Sequence, residues 1–256
     1  MAQILYGKEK KVYVEDIDRE VTIQKSKFYY LEKTDRDFSC IEGAIKKENL
    51  TDSEITTSTG KEFFSFPSTF YDDYRHMKRG AQIITPKDIG IIITEGGICK
   101  DSIVVEGGSG SGALSCYLGK IAKKVYSYDI NEENQAIAKL NTDKLNLDNV
   151  EFKLKSMYES IDEKEVDAVI MDLPEPWEAL ENAKNSVKVG GIIIGYCPTV
   201  SQISNFVEAV KKDKQLHYHK TIELIQRKWK VKGLAVRPVS ESIGHTAFLV
   251  FVRRVN

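Results

Sequence analysis

The chain has little that would direct a reading toward secretion, membranes or metal. It carries 4 cysteines in 256 residues, Cys40, Cys99, Cys116 and Cys197, and no two of them form a CxxC pair. Scattered cysteines without a secretion signal imply free thiols in a reducing compartment. The first residues (MAQILYGKEKK) are charged too early to hold the apolar core of a signal peptide. The longest uncharged stretch, 189–207, contains Gly190, Gly191, Pro198, Ser201, Gln202 and Asn205. It is too polar and too broken for a bilayer span. Net charge is also lacking: 37 Lys+Arg against 38 Asp+Glu leave −1. There is therefore no global signature of nucleic-acid binding, though a local basic patch stays open. No internal repeat or low-complexity tract occurs. These absences predict a soluble cytoplasmic protein with no membrane segment.

What is present fits an ordinary globular chain, with 41% hydrophobic and 29% charged residues. At roughly 150 residues per domain, the length allows one to two domains. Residues 1–75 read as a small β-rich domain: Val12 and Val14, then Val21 and Ile23, alternate with polar neighbours at the spacing of half-buried strands. From 76 to 256 the pattern changes. Thr85-Pro86-Lys87-Asp88 gives a helix start, with Thr as cap and Pro at the first helical position. Short β-rich runs then appear at 102–106, 124–130, 150–155, 166–173 and 191–197, with helix-length segments such as 131–145 and 198–211 between most of them. Alternating strands and helices imply βαβ units and a parallel sheet. The stretches 222–231 and 245–253 are both extended with no helix between them, which predicts an antiparallel edge.

The strand ending at Glu106 runs into Gly107-Gly108-Ser109-Gly110-Ser111-Gly112 and then a helix. Glycines permit a tight turn and a close ligand approach, and the helix start offers free N–H groups. A P-loop is excluded because no Lys-Ser/Thr follows. Gly108, Gly110 and Ala113 do fit the dinucleotide pattern. The next strand ends in Asp129, about 20 residues on, where an acid accepts the hydroxyl protons of a ribose. Loop and acid point to an adenosine-containing cofactor, either NAD or S-adenosylmethionine. The chain after the loop completes one sheet without leaving a separate dehydrogenase-type substrate domain. Glu106 at the strand end suits the methyl donor better.

The most specific string is 166–177 (VDAVIMDLPEPW), in which Asp172 ends a strand and two prolines fix the following loop. With it the sequence resembles the tRNA (adenine-N1)-methyltransferases that modify the T-loop adenine, position 58 in tRNA numbering. The strings that carry the resemblance are 79–88 (RGAQIITPKD), 104–114 (VVEGGSGSGAL), 126–130 (YSYDI), 172–177 (DLPEPW), 196–202 (YCPTVSQ), Arg237-Pro238 and 244–249 (GHTAFL). They lie in order over about residues 66–256. The resemblance implies a class I methyltransferase (Rossmann-like), mostly parallel seven-stranded sheet with a small N-terminal β-rich domain. It further implies S-adenosyl-L-methionine as donor, tRNA as partner, and a homotetramer. Gly108, Ser109, Gly110, Ser111 and Gly112 would wrap the cofactor's methionine part, Asp129 would bind its ribose with Asn134 near the same sugar, and Glu106 would also belong to the cofactor site. Asp172 would be the catalytic residue, and Tyr196, Arg237 and His245 would lie on the substrate side. Three positions depart from the family pattern. Ser156 replaces an Asp that meets the cofactor's adenine, leaving its hydroxyl and the backbone near Met157 for that contact. Thr85 replaces a Tyr or His beside the target base, and Ser240 replaces a His.

Between Lys211 and Lys232 lie Lys211, Lys212, Lys214, Lys220, Arg227, Lys228, Lys230 and Lys232 against only Asp213 and Glu223. On an extended 225–232, Lys228, Lys230 and Lys232 share one face, with Arg227 and Trp229 on the other. Such a stripe suits a phosphate backbone or the protection of an exposed edge strand. His217-Tyr218-His219 offers two imidazoles without a third ligand nearby, so no metal site is expected. Three rival functions stand beside the main one. They are a methyltransferase acting on a small molecule or protein, a non-catalytic tRNA-binding subunit, and an NAD dehydrogenase.

Overall fold

The computed structural model describes residues 2–241 and 243–256. The chain forms two compact units, Met1–Met77 and Lys78–Asn256. In the first, β1 (Gln3–Gly7), β2 (Lys10–Val14), β3 (Arg19–Gln24), β4 (Lys27–Leu31), β5 (Phe38–Cys40), β6 (Gly43–Ile45), β7 (Glu54–Thr56) and β8 (Glu62–Pro67) precede the short helix α1 (Phe70–Arg75). A four-stranded antiparallel sheet runs β4-β1-β8-β7. Side-chain alternation sends Leu5, Leu31, Ile55 and Phe63 to one face, where they form a core with Ile45 and Leu50. The hairpin β2–β3 is a separate two-stranded sheet. Of its apolar residues expected to be half-buried, Val14 and Val21 are so, whereas Val12 and Ile23 are open to solvent, 46% and 50% exposed. Alternation shows that a strand has two faces but not that anything covers one of them.

In the second unit α2 (Pro86–Glu95) leads into β9 (Ile103–Gly107), α3 (Ala113–Ile121), β10 (Lys124–Asp129), α4 (Glu132–Lys144), β11 (Val150–Leu154) and β12 (Val166–Met171). Next come α5 (Leu180–Ser186), β13 (Val187–Cys197), α6 (Val200–Lys212), β14 (Leu216–Glu223), β15 (Trp229–Lys232), β16 (Ala235–Pro238) and β17 (Phe248–Arg254). Seven strands form one sheet in the order β11-β10-β9-β12-β13-β17-β14. β9 to β13 are mutually parallel, whereas β17 is antiparallel to both its neighbours. Val104, Val105, Val169, Ile170, Ile193 and Val250 are completely buried. Near-continuous apolar runs of this kind are what a sheet covered on both faces requires.

The end of the chain differs from expectation in two ways. The antiparallel strand is inserted one place in from the edge, between β13 and β14. The stretch 222–231 is not one strand: β14 stops at Glu223, and β15 pairs instead with β16 in an isolated two-stranded ribbon. Gly233, at φ +55°, makes the turn between them. A single reversal within 222–238 was invisible because both arms have the same extended composition. The His217-Tyr218-His219 segment carries a bulge, with register shifting between Tyr218 and Lys220. Among the described residues, no three His, Cys, Asp or Glu side chains converge as metal ligands, and no helix is long and apolar enough to cross a membrane.

Candidate active site

The connections from the sheet's centre run in opposite directions: β10 and β11 lie to one side of β9, β12 and β13 to the other. In such a sheet a crevice opens beyond the carboxyl ends of the strands at that reversal. A cleft of about 380 Å³ lies there, within the range of small-molecule sites. Its walls include Glu106, Gly108, Ser109, Gly110, Ser111, Asp129, Asn134, Ser156, Met157 and Asp172. Residues from five separate stretches of sequence are thus brought to one cavity.

The glycine loop is folded around its neighbours. The N–H groups of Gly108 and Ser109 both donate to the Tyr128 carbonyl, at 2.8 and 3.1 Å. Gly108 has φ +86°, and a Cβ there would lie 2.2 Å from the carbonyl oxygen of Asp172. Gly112 (φ +77°) begins α3 against Ala138, which a Cβ would meet at 2.9 Å. Gly112 is a hinge of this turn outside the cleft lining. Asp129 holds the loop by accepting from the Gly110 N–H at 2.9 Å, and its other oxygen accepts from the Asn131 N–H at 2.8 Å. Asn131 in turn caps α4 by accepting from the Asn134 N–H. The Ser156 hydroxyl accepts from the Tyr158 N–H, and the buried Met157 packs its sulfur against Gly107.

Two acids differ in setting. Glu106 is 2% exposed, and its Oε2 accepts from the Ser115 and Ser127 hydroxyls. Burial nevertheless pushes its carboxyl up to about 7; the two serines oppose this, and the negative charges of Asp172 and Asp129 add to it. Asp172 follows β12, and its N–H donates to the Gly107 carbonyl at 2.9 Å. Burial pushes its carboxyl up to about 6. Among the described residues, no side chain donates a hydrogen bond to that carboxylate, so its acceptor capacity is left to whatever enters the cleft.

The residues expected on the substrate side, Tyr196, Arg237 and His245, fall outside the cleft lining. Tyr196, 8% exposed at the end of β13, points its hydroxyl toward Asp88, and burial followed by the charges of Asp88 and Asp172 raises its pKa. His245 brackets two strand ends: Nε2 lies 2.8 Å from the Pro198 carbonyl and Nδ1 2.7 Å from Glu223. The carbonyl and then the carboxylate raise its pKa. Arg237 lies on the isolated ribbon. Thr85 precedes α2 without capping its backbone; its hydroxyl donates to Asp88 at 2.8 Å. Thr246 donates to the same oxygen, while the Lys87 ammonium bonds both Asp88, at 2.6 Å, and Thr246, at 2.7 Å. Sequence reading missed this buried cluster, whose only signal was an acid three residues beyond a helix cap. It also missed the wall formed by 81–84, which Ser111 fixes by accepting from the Gly80 N–H and donating to the Ala81 carbonyl.

Comparison with known proteins agrees with this arrangement. Residues 75–236 match the family model described as tRNA methyltransferase complex GCD14 subunit. The chain is 33% identical over 262 residues to a tRNA (adenine(57)-N(1)/adenine(58)-N(1))-methyltransferase, TrmI, of Methanocaldococcus jannaschii, covering 90% of this chain and 92% of that one. Among solved structures, a SAM-dependent O-methyltransferase from Thermotoga maritima superposes with a TM-score of 0.81 at 26% identity, covering 100% and 93% of the two chains. The tRNA (m1A58) methyltransferase TrmI from Aquifex aeolicus shares the fold, with a TM-score of 0.76, 24% identity and coverage of 100% and 97%. The match of the family model to more than half of the chain, and of the archaeal enzyme to nearly all of it, shows that the chain belongs to the tRNA adenine-N1-methyltransferase family.

Proposed function

We propose that this protein transfers a methyl group from S-adenosylmethionine to N1 of the T-loop adenine, position 58, of tRNA. The observation that carries the reading is the Asp172 carboxylate, half-buried in the same cleft as the glycine loop and accepting no hydrogen bond from a described side chain. The residues fit the donor: Gly108 leaves backbone space at the turn, Asp129 lines the cleft with a carboxylate that would meet a ribose, and the acids Glu106 and Asp172 in the same cleft favour a cation. The donor supplies an electrophilic methyl group on a sulfonium. Ser109 to Ser111 would hold its methionine part, Asp129 with Asn134 its ribose, and the Ser156 hydroxyl and Met157 backbone would meet the adenine ring.

Adenine N1 is a neutral, weak nucleophile, and its methylation leaves a cationic ring. The Asp172 carboxylate accepts a hydrogen bond from the exocyclic N6 amine and stabilises the charge as it develops. N1 carries no proton, so no general base is needed, and among the described residues Asp172 has no His or Lys partner of the kind a proton relay would use. In-line placement supplies much of the remaining acceleration, up to ~7–11 kcal/mol. Extruding the target base from its stack costs roughly a few kcal/mol, which contacts to the RNA must supply. Tyr196, Arg237 and His245 belong to the substrate side, acting around the cleft. A homotetramer and a cytoplasmic setting go with this reading.

The test is transfer from labelled S-adenosylmethionine to unmodified tRNA by wild type and Asp172→Ala, followed by nucleoside analysis. N1-methyladenosine made by wild type and nearly lost in the variant is the expected result. A wild-type enzyme that binds the cofactor and methylates another acceptor, but no adenine, would refute the substrate assignment.

A further inference from the structure

The eight cations between Lys211 and Lys232 do not form one stripe. Lys211 pairs with Glu208, and Lys220 pairs with Glu95. The β15–β16 ribbon is different: residues 224–240 (LIQRKWKVKGLAVRPVS) hold five cations and no acid. Its register sets Lys230 opposite Arg237 and Trp229 opposite Pro238, and the Val239 N–H extends the pairing to the Lys228 carbonyl at 2.9 Å. Alternation therefore puts Lys228, Lys230, Lys232 and Arg237 on one face and Trp229, Val231 and Val236 on the other. All four cations are exposed except for what their own stems cover, and among the described residues none has an ion-pair partner.

Lysines that merely guard an edge strand protect a sheet from pairing. Here the ribbon belongs to no larger sheet, and its apolar face is as open as its basic one, with Trp229 57% and Val231 71% exposed. The charge is thus segregated on one face without an ion pair among the described residues, and it stands beside the cleft. A side pocket of about 180 Å³ is lined by Gln226 and Lys228 at the ribbon's foot, by Thr85 and Lys87 at the start of α2, and by Glu241, the acid that shares it with Lys228. Ile84, next in the chain to Thr85, is part of the cleft wall. Alternate residues on a strand lie about 6.7 Å apart, comparable with successive phosphates along a nucleic-acid strand.

We infer that the basic face of the β15–β16 ribbon, through Lys228, Lys230 and Lys232, binds the phosphate backbone of the RNA whose adenine enters the cleft. The inference rests on the tRNA reading above and adds the surface that holds the substrate. Cations that displace condensed counterions make binding salt-dependent in proportion to the phosphates contacted.

The experiment compares wild type with K228Q/K230Q/K232Q, as full-length protein, for binding of unmodified tRNA between 50 and 200 mM salt. The slope of log affinity against log salt becomes shallower by about 2–3, equivalent to ~16–64-fold less loss of affinity over that range. In turnover, KM for tRNA rises while kcat at saturating tRNA stays within about twofold. S-adenosylmethionine affinity and sedimentation match wild type. If wild type makes N1-methyladenosine and the variant keeps its slope and KM, the ribbon proposal fails and the function stands. A variant that loses tRNA affinity only together with a changed sedimentation coefficient also overturns it, because the ribbon then acts through assembly. Wild type that neither binds tRNA nor forms N1-methyladenosine would sink the functional reading and this surface with it.

Discussion

Asp172→Asn should stabilise the ligand-free protein while abolishing methyl transfer. Burial raises the Asp172 carboxyl from 3.8 to about 6. The folded state therefore holds its proton more tightly than the unfolded chain. Between those two values the folded protein binds more protons, so stability falls as pH rises, and above about 6 the full penalty of a buried carboxylate is present. Two pKa units correspond to about 3 kcal/mol. An asparagine of the same shape removes the charge and up to that amount of penalty. For a unit of this size each kcal/mol moves Tm by ~2–4 °C, so a rise of roughly 5–10 °C is the upper range at pH 8. At pH 4.5 the folded wild type is itself largely protonated there, while most unfolded chains are ionised, so the gap between the two melting curves should shrink to about a third of its pH 8 value. Thermal unfolding without ligand, at both pH values, reads the effect directly. Methyl transfer by wild type should climb through pH 6 as the carboxylate forms, while the variant stays inactive throughout. A variant that melts at or below wild type at pH 8 would refute the claim that this carboxylate is held against its solvation preference.

Two further perturbations test the frame around the cleft. Gly108→Ala forces a side chain into φ +86° and puts a Cβ 2.2 Å from the Asp172 carbonyl; the loop must shift by about 1 Å, which predicts a fall in turnover of at least about 100-fold, with cofactor affinity by calorimetry as the companion readout, and wild-type turnover would contradict it. Lys87→Met strands the Asp88 carboxylate, 1% exposed, without its ammonium partner; breaking such a buried pair costs about 3–5 kcal/mol, and a melting temperature within a degree or two of wild type would show the pair to be unimportant.

The parts of the site legible in the sequence were those where a residue type is dictated by the backbone. A glycine at Gly108 and an acid at the end of β10 or β12 follow from how a parallel sheet meets a ligand, so their spacing could be read directly. Elsewhere the sequence carried type without partner. Thr85 reads as a helix cap, and the resemblance sets it beside the target base, as an expectation only; its hydroxyl is taken by Asp88. Thr246 and Lys87, distant in the chain, converge on the same carboxylate. Nothing local announces such a cluster, because it exists only once α2 and the segment before β17 are brought together. The ribbon shows the complementary limit. Alternation correctly sorted its lysines to one face, but no periodicity reports where an extended run turns back on itself.

The two cleft acids show why the motifs must be read as a pair. Glu106 has two serine donors and is still pushed up to about 7, partly by Asp172 and Asp129. Asp172 has none, and its backbone N–H is tied to Gly107, the residue that immediately follows Glu106. The glycine loop and the DLPEPW string are thus joined by one hydrogen bond and by the close approach that makes a side chain at 108 impossible. Anything that moves one moves the other. The raised carboxyls of Glu106 and Asp172 also lower the stability of the empty protein at neutral pH, and a ligand with positive charge relieves that repulsion. The cost of holding Asp172 without a donor follows from its use: a carboxylate already satisfied by a protein N–H or hydroxyl would have less acceptor strength left for an adenine amine. On this argument, supplying a donor to Asp172 from the neighbouring wall would stabilise the fold and slow the reaction together.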